Sequence, residues 1–336
     1  MYFLKGYKSI IFEILLPVLF TVQMFSQNNE DVKTDESYRV VWVKQFPSEN
    51  NKSKKTATKW FTDLIFGKKN NFKVTKPIDV IAVNTKSYFV LDQANGIIFN
   101  INNNKSLIPK IFVKSERFFS SMVNICGLPN NEFLFTDSRL GEIYKFNLSE
   151  NTLQPLNNKL NLKQPTGIAY SEISNNIWVV ETSLHRITIL NLDGEVINTI
   201  GERGTSLGKF NYPTSVWIDK QGNAYVVDSM NFRIQIFNKD GKVISVFGEQ
   251  GNASGYFSRP KGIATDSMGH IYVTDALFHT VQIFDIKGNF LYNFGKQGRK
   301  EGEFWMPAGI FIDENDYIYV ADSYNSRVQI FQLVKN

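Results

Sequence analysis

Residues 259–302 read RPKGIATDSMGHIYVTDALFHTVQIFDIKGNFLYNFGKQGRKEG. Four short apolar or alternating runs (262–265, 270–275, 280–285 and 289–295) are separated by Gly, Asn, Asp and Ser, the pattern of an antiparallel four-stranded meander. One such unit cannot bury both of its faces, so the fold depends on whether the unit recurs. It does. Pro165, Pro213, Pro260 and Pro307 follow one another at spacings of 48, 47 and 47 residues. An acidic residue closes the second strand of each unit: Asp92, Asp137, Glu181, Asp228, Asp275 and Asp322. Fifteen residues before the aspartates stand Pro77, Met122, Pro213, Pro260 and Pro307, and Pro165 precedes Glu181, giving six starts. A period of roughly 40–50 residues with four strands per period points to propeller blades rather than a sandwich.

The segments YPTSVWIDKQGNAYVVDSMNFRIQIFNKDGKVISVFG (212–248), RPKGIATDSMGHIYVTDALFHTVQIF (259–284) and MPAGIFIDENDYIYVADSYNSRVQIF (306–331) resemble the NHL repeat. The resemblance spans residues 77–336 and implies an all-β, six-bladed β-propeller of four-stranded antiparallel blades. It implies little about function, because one scaffold hosts many unrelated sites.

The last unit supplies only three strands before Asn336. The isolated segment 38–46, containing RVVWVKQF, matches the fourth strands EVINTIG, KVISVFG and NFLYNFG. We therefore expect it to complete the last blade and leave no edge unpaired. Residues 1–26 place Lys5 and Lys8 ahead of an apolar run interrupted by Glu13. This reads as a signal peptide, the alternative being an N-terminal anchor, and implies export to the periplasm, cell envelope or exterior. Residues 27–37 read as a disordered linker.

Residues 47–76 break the period with a short amphipathic helix carrying Trp60 and Phe61, surrounded by Lys52, Lys54, Lys55, Lys59, Lys68, Lys69, Lys73 and Lys76. The insert is expected to pack on one face or to dock on an anionic or membrane surface. It also concentrates the charge. Of the +5 net charge, residues 1–26 carry +1 and the insert +6, so the remainder is about −2. The blades thus lack the basic excess a nucleic-acid platform needs, and RNA binding is the weakest of the function classes.

In a meander propeller the loop after the second strand and the blade-to-blade connection share one rim. Those segments carry Arg139, His185, Tyr212, Met230, Phe232, Arg259, Phe278, His279, Trp305 and Tyr324, with Leu140, Tyr256, Lys261 and Leu277 beside them. Aromatic, Met and Arg side chains on loops suit contact with another protein or peptide, or a glycan. Arg186, Arg233 and Arg327 each follow an acidic landmark by five residues and are expected to pair with it. The landmarks themselves are expected to accept backbone donors of the next loop. Asp219, Asp266 and Asp313, at the ends of the first strands, suit either a channel cation or plain turns.

No cofactor is indicated. The sequence holds no G-x-S-x-G, H-E-x-x-H or phosphate-cradling glycine loop. His185 and His279 fall two blades apart and His270 on the opposite face. The three-histidine zinc site of some propeller lyases therefore cannot be assembled, since its ligands must lie within about 2.0–2.3 Å of one ion. Cys126 is the single cysteine and reads as a buried thiol. The chain is expected to be a monomeric, non-catalytic binding scaffold. The alternative is a lyase or hydrolase with a mixed-ligand metal site near the axis.

Overall fold

The computed structural model describes residues 38–47, 73–107, 109 and 118–335. The proposed signal peptide, the linker and most of the insert, including Lys54, Lys55, Lys59, Trp60, Phe61, Lys68 and Lys69, lie outside the described residues.

The described residues form six four-stranded antiparallel sheets. Blade 1 holds β2 (Pro77–Asn84), β3 (Ser87–Asp92), β4 (Ile97–Asn102) and β5 (Lys105–Leu107). Blade 2 holds β6 (Met122–Gly127), β7 (Glu132–Asp137), β8 (Glu142–Asn147) and β9 (Thr152–Pro155). Blade 3 holds β10 (Pro165–Ser171), β11 (Asn176–Glu181), β12 (Arg186–Leu190) and β13 (Val196–Ile200). Blade 4 holds β14 (Ser215–Ile218), β15 (Ala224–Asp228), β16 (Arg233–Phe237) and β17 (Val243–Phe247). Blade 5 holds β18 (Pro260–Thr265), β19 (Ile271–Asp275), β20 (Thr280–Phe284) and β21 (Phe290–Phe294). Blade 6 holds β22 (Pro307–Ile312), β23 (Tyr317–Asp322) and β24 (Arg327–Lys335), and its outermost strand is β1 (Tyr38–Phe46). The first strand of each blade is innermost, and these six strands contact one another in a closed cycle, with β2 against both β6 and β22.

The expected closure is present. β1 pairs antiparallel with β24, placing Val40 opposite Leu333, Trp42 opposite Phe331 and Phe46 opposite Val328. The strands begin slightly earlier than the apolar runs suggest. Pro260, for instance, already pairs with Asp275, because the first residue of a strand is a position where the missing N–H costs no ladder bond.

The core lies between blades, and one device recurs three times. Phe210, Phe257 and Phe304, in the connections into blades 4, 5 and 6, are fully buried. Each ring lies over the glycine that ends the preceding blade. A Cβ at Gly201, Gly248 or Gly295 would come within 2.4, 2.4 or 2.3 Å of it, and all three glycines have φ of 90° or more. Only glycine adopts that backbone freely while leaving room for the ring.

A second recurrence is polar. Asp219, Asp266 and Asp313 accept the backbone N–H groups of their own turns and the hydroxyls of Tyr225, Tyr272 and Tyr319 at 2.9, 3.0 and 3.1 Å. They are turn residues, and none of them lines the axial cavity. In blade 1 the same offset places Ala82 before Tyr88, whose buried hydroxyl has no hydrogen-bond partner among the described residues.

Candidate functional site

Two features share one end of the ring: a loop-bearing rim and the mouth of an axial cavity. The rim is assembled by the six acidic landmarks, all fully buried. Each reaches back to the preceding connection. Asp92 accepts from the backbone N–H of Lys76 at 2.8 Å, Glu181 from Lys163 at 2.7 Å, Asp228 from Asn211 at 2.7 Å, Asp275 from Ser258 at 2.7 Å and Asp322 from Trp305 at 2.8 Å. Asp137 and Asp275 also accept from the loop that follows them, at Arg139 and Leu140 and at Leu277 and Phe278. Hydrogen bonds between backbones, such as Met230 N–H to Asn211 at 3.0 Å and Tyr324 N–H to Trp305 at 3.1 Å, join loop and connection on a common face.

The recurring arginines pair within their own blades. Arg186 lies 2.7 Å from Glu181, Arg233 2.8 Å from Asp228 and Arg327 2.7 Å from Asp322. Burial raises the Asp322 carboxyl above its usual range, opposed by the Trp305 N–H and the Arg327 guanidinium that bind it.

The landmarks anchor the loop that follows each second strand, and every loop from blade 2 to blade 6 exposes a large apolar side chain two or three residues on. Leu140, Leu184, Met230, Leu277 and Tyr324, one from each of blades 2 to 6, are all at least 40% exposed, and Tyr212 and Tyr256 stand beside them on the connections. Arg139 and Arg259 are likewise exposed. Phe232, Phe278 and Trp305 are half-buried. Trp305 packs against Tyr324 at 6.0 Å between ring centroids, with the Arg299 guanidinium 5.0 Å from its face. Leu184 belongs to this set although the sequence pointed instead to its neighbour His185, which is buried under Tyr212.

The two rim histidines sit alike. His185 and His279 both cap their loops at positive φ, 53° and 56°. The Nδ1 of His185 accepts the Tyr212 N–H at 3.0 Å, and that of His279 accepts the Met306 N–H at 3.1 Å. Burial lowers the His279 pKa, which keeps the imidazole a neutral acceptor. His270 is tied to Asp266 at 2.8 Å on the opposite face. Among the described residues, no three His, Cys, Asp or Glu side chains are grouped to hold a metal ion.

The axial cavity has a volume of about 740 Å³ and is walled by the innermost strands of all six blades. That lies within the range of roughly 300–1,000 Å³ typical of small-molecule sites. Its wall is layered by position along the strands. One residue after Pro77, Met122, Pro165, Pro213, Pro260 and Pro307 stand Ile78, Val123, Thr166, Thr214, Lys261 and Ala308, and next Asp79, Asn124, Gly167, Ser215, Gly262 and Gly309. Most mouth hydroxyls are already bound: Thr166 to Thr182 at 2.7 Å, Thr182 to the Pro213 carbonyl at 2.7 Å and Ser138 to the Pro165 carbonyl at 2.6 Å.

The second layer is linked across blades. Asp79 accepts from Asn124 Nδ2 and, at 2.9 Å, from the Ile125 N–H, while Asn124 Oδ1 accepts the Ile168 N–H at 2.7 Å. Burial pushes the Asp79 carboxyl up to about 7 against these donors. Deeper in, Trp217 of blade 4 meets Phe311 of blade 6 at 5.7 Å, because blade 5 between them offers only Ala264 at that level. Cys126 also faces the cavity, and burial raises its thiol far above the usual range, so it stays protonated.

A family model described as a 6-bladed beta-propeller matches residues 264–335, and that of the NHL repeat matches residues 210–237. No curated protein matches the chain. Among solved structures, the chain is similar to an auxiliary nutrient binding protein from Bacteroides ovatus, with a TM-score of 0.62, 13% identity, and coverage of 89% of this chain and 77% of that one. It is similar to a structural genomics protein of unknown function from Bacteroides thetaiotaomicron, with a TM-score of 0.62, 14% identity, and coverage of 78% and 70%. It is also similar to virginiamycin B lyase from Staphylococcus aureus, with a TM-score of 0.55, 15% identity, and coverage of 78% and 96%. At such identities the shared property is the fold. Six four-stranded blades closed by β1, with the 6-bladed beta-propeller model matching blades 5 and 6 and the NHL-repeat model matching within blade 4, make the chain a six-bladed β-propeller.

Proposed function

We propose that this propeller is an exported, non-catalytic scaffold that binds another protein or peptide, or a glycan, through its loop-bearing rim. One observation carries the reading. Five consecutive blades present an exposed large apolar side chain in the loop after the second strand, two residues past the landmark in Met230, Leu277 and Tyr324 and three past it in Leu140 and Leu184. Blade packing does not require these side chains, since they extend away from the core. Apolar and aromatic groups gathered on one rim are the composition of a contact surface. The resemblance in fold to an auxiliary nutrient binding protein supports a binding role. Residues 1–26 supply the export signal, so the partner is sought in the cell envelope or outside it.

The rim is tested by a photo-crosslinking residue at position 230 and, as a control, at Lys242 on the opposite rim, each in cells of the source organism. A discrete adduct is expected only from position 230. The double variant Met230→Ser/Tyr324→Ser should then weaken the purified pair at least tenfold, equivalent to about 1.4 kcal/mol. Its melting temperature should stay within about 1–2 °C of the parent, because exposed side chains contribute little to stability. Equal adducts from both rims, or unchanged affinity in the double variant, would remove the basis for this surface.

A further inference from the structure

We propose that the rim-side mouth of the axial cavity is a binding site for a small amphiphilic carboxylate, whose anionic group meets Lys261 and whose apolar body lies toward Trp217 and Phe311. The site shares a face with the proposed rim but does not depend on it.

At the level of Lys261 the other five blades carry Ile78, Val123, Thr166, Thr214 and Ala308, none of them charged. The blade architecture therefore does not call for a cation there. Lys261 lines the cavity, and among the described residues its ammonium has neither a hydrogen-bond nor an ion-pair partner. The charged groups nearest to it electrostatically are Arg259, from its own strand start, and Lys76, from the connection into blade 1. The Lys76 ammonium is held by Gln93 at 2.9 Å. Lys261 is the cation that lines the cavity, and burial, together with the charges of Arg259 and Lys76, lowers its pKa to about 8. An unpaired, partly desolvated cation is costly unless an anion joins it.

The depth of the cavity specifies the rest of the ligand. Two carboxylates line the cavity: Glu172 stands at its far end, in the turn after β10, and Asp79 is engaged by Asn124 and the Ile125 N–H and pressed against Gly309, where a Cβ would approach its Oδ1 to 2.1 Å. Asp79 is committed to the wall and leaves Lys261 uncompensated. Below the mouth the lining turns apolar, with Ile81, Ala169, Trp217, Ile218 and Phe311. The Trp217 indole is fixed by its N–H bond to Thr265 at 2.9 Å and by its 5.7 Å contact with Phe311. A cationic mouth above an aromatic wall matches a molecule with one anionic end and an apolar body. A single ammonium suits a monoanion such as a carboxylate.

Isothermal titration calorimetry of the full chain with decanoate and with 4-phenylbutyrate tests the assignment and separates a linear from an aromatic body. Saturable binding at one site per chain is expected for at least one of the two, with none for acetate, which lacks the body, or for decyltrimethylammonium, which inverts the charge. Lys261→Met should weaken the binding at least tenfold, Lys261→Arg should largely retain it, and Trp217→Leu should weaken it without abolishing the anion preference. The Met230→Ser/Tyr324→Ser rim variant should bind as the parent does, so failure here and failure of the rim reading are distinguishable. Lys261→Met should also melt no lower than the parent, which separates lost recognition from lost fold. Absence of saturable binding by both carboxylates, or equal affinity in Lys261→Met, would overturn the proposal.

Discussion

Deleting residues 38–46 from the otherwise complete chain is expected to abolish cooperative unfolding of the propeller or to lower its melting temperature by more than 15 °C. The strand supplies an eight-pair ladder at the outer edge of blade 6, running from Tyr38 opposite Lys335 to Phe46 opposite Val328. Phe46 is buried with Val74, Val328 and Ile330, and Val40 and Trp42 pack beside Phe331. Fully burying a side chain such as Phe46 is worth roughly 1.5–3 kcal/mol, and the half-buried Val40 and Trp42 add a part of that each, a sizeable share of the roughly 5–15 kcal/mol by which whole domains are stable.

Polar ties add to this. Trp42 Nε1 donates to Gln329 at 3.1 Å, Lys44 Nζ to the Thr85 carbonyl at 2.9 Å, and Arg327 to Gln45 at 2.7 Å. Without β1, the row of polar groups along β24 becomes an open edge, and the truncated chain should form oligomers through it. Calorimetry and size-exclusion chromatography read both effects, and a synthetic peptide of residues 38–47 should restore the monomer and part of the lost stability. A truncated chain that melts as the parent does would mean that the ring is held shut by something other than this strand.

That closure could be read from the sequence because two shortages matched: a final unit with three strands and a leading strand with no neighbours. The blade count was legible for a related reason. Proline starts and acidic landmarks recur because every blade solves the same backbone problem, and Asp228, Asp275 and Asp322 solve it with the same bonds. The cavity was not legible. Trp217 and Phe311 lie 94 residues apart, and their contact depends on a third residue, Ala264, being small in the blade between them.

Lys261 stood out only as one more basic residue beside the rim, since nothing in Arg-Pro-Lys-Gly tells that its side chain enters a space shared by six strands. Tyr88 shows the reverse case. Its repeat partner is missing in plain view at Ala82, yet the consequence, a buried hydroxyl without a partner among the described residues, follows only once blade 1 is assembled.

The Asp79 carboxyl provides the second large effect, and its sign follows from linkage. Burial pushes its folded pKa up to about 7 from an ordinary value of 3.8. The folded state therefore keeps its proton across an interval in which the unfolded chain has lost it. Below pH 3.8 both states hold the proton and the group costs nothing; as pH rises toward 7 the unfolded state is increasingly favoured, and above 7 the full penalty applies. At about 1.36 kcal/mol per pKa unit the penalty is on the order of 4 kcal/mol.

Asp79→Asn keeps an oxygen to accept from Asn124 and from the Ile125 N–H, and places an uncharged amide where the other oxygen touches Gly309. The variant should therefore match the parent near pH 4 and exceed it by several kcal/mol at pH 8, as measured by urea unfolding at both values. Asp79→Ala, which leaves those two donors without their acceptor, should be less stable than Asp79→Asn at either pH. A difference between parent and Asp79→Asn that stays constant from pH 4 to pH 8 would place the Asp79 titration outside this interval. It would also mean that the cavity wall is more open to water at the second layer than its packing indicates.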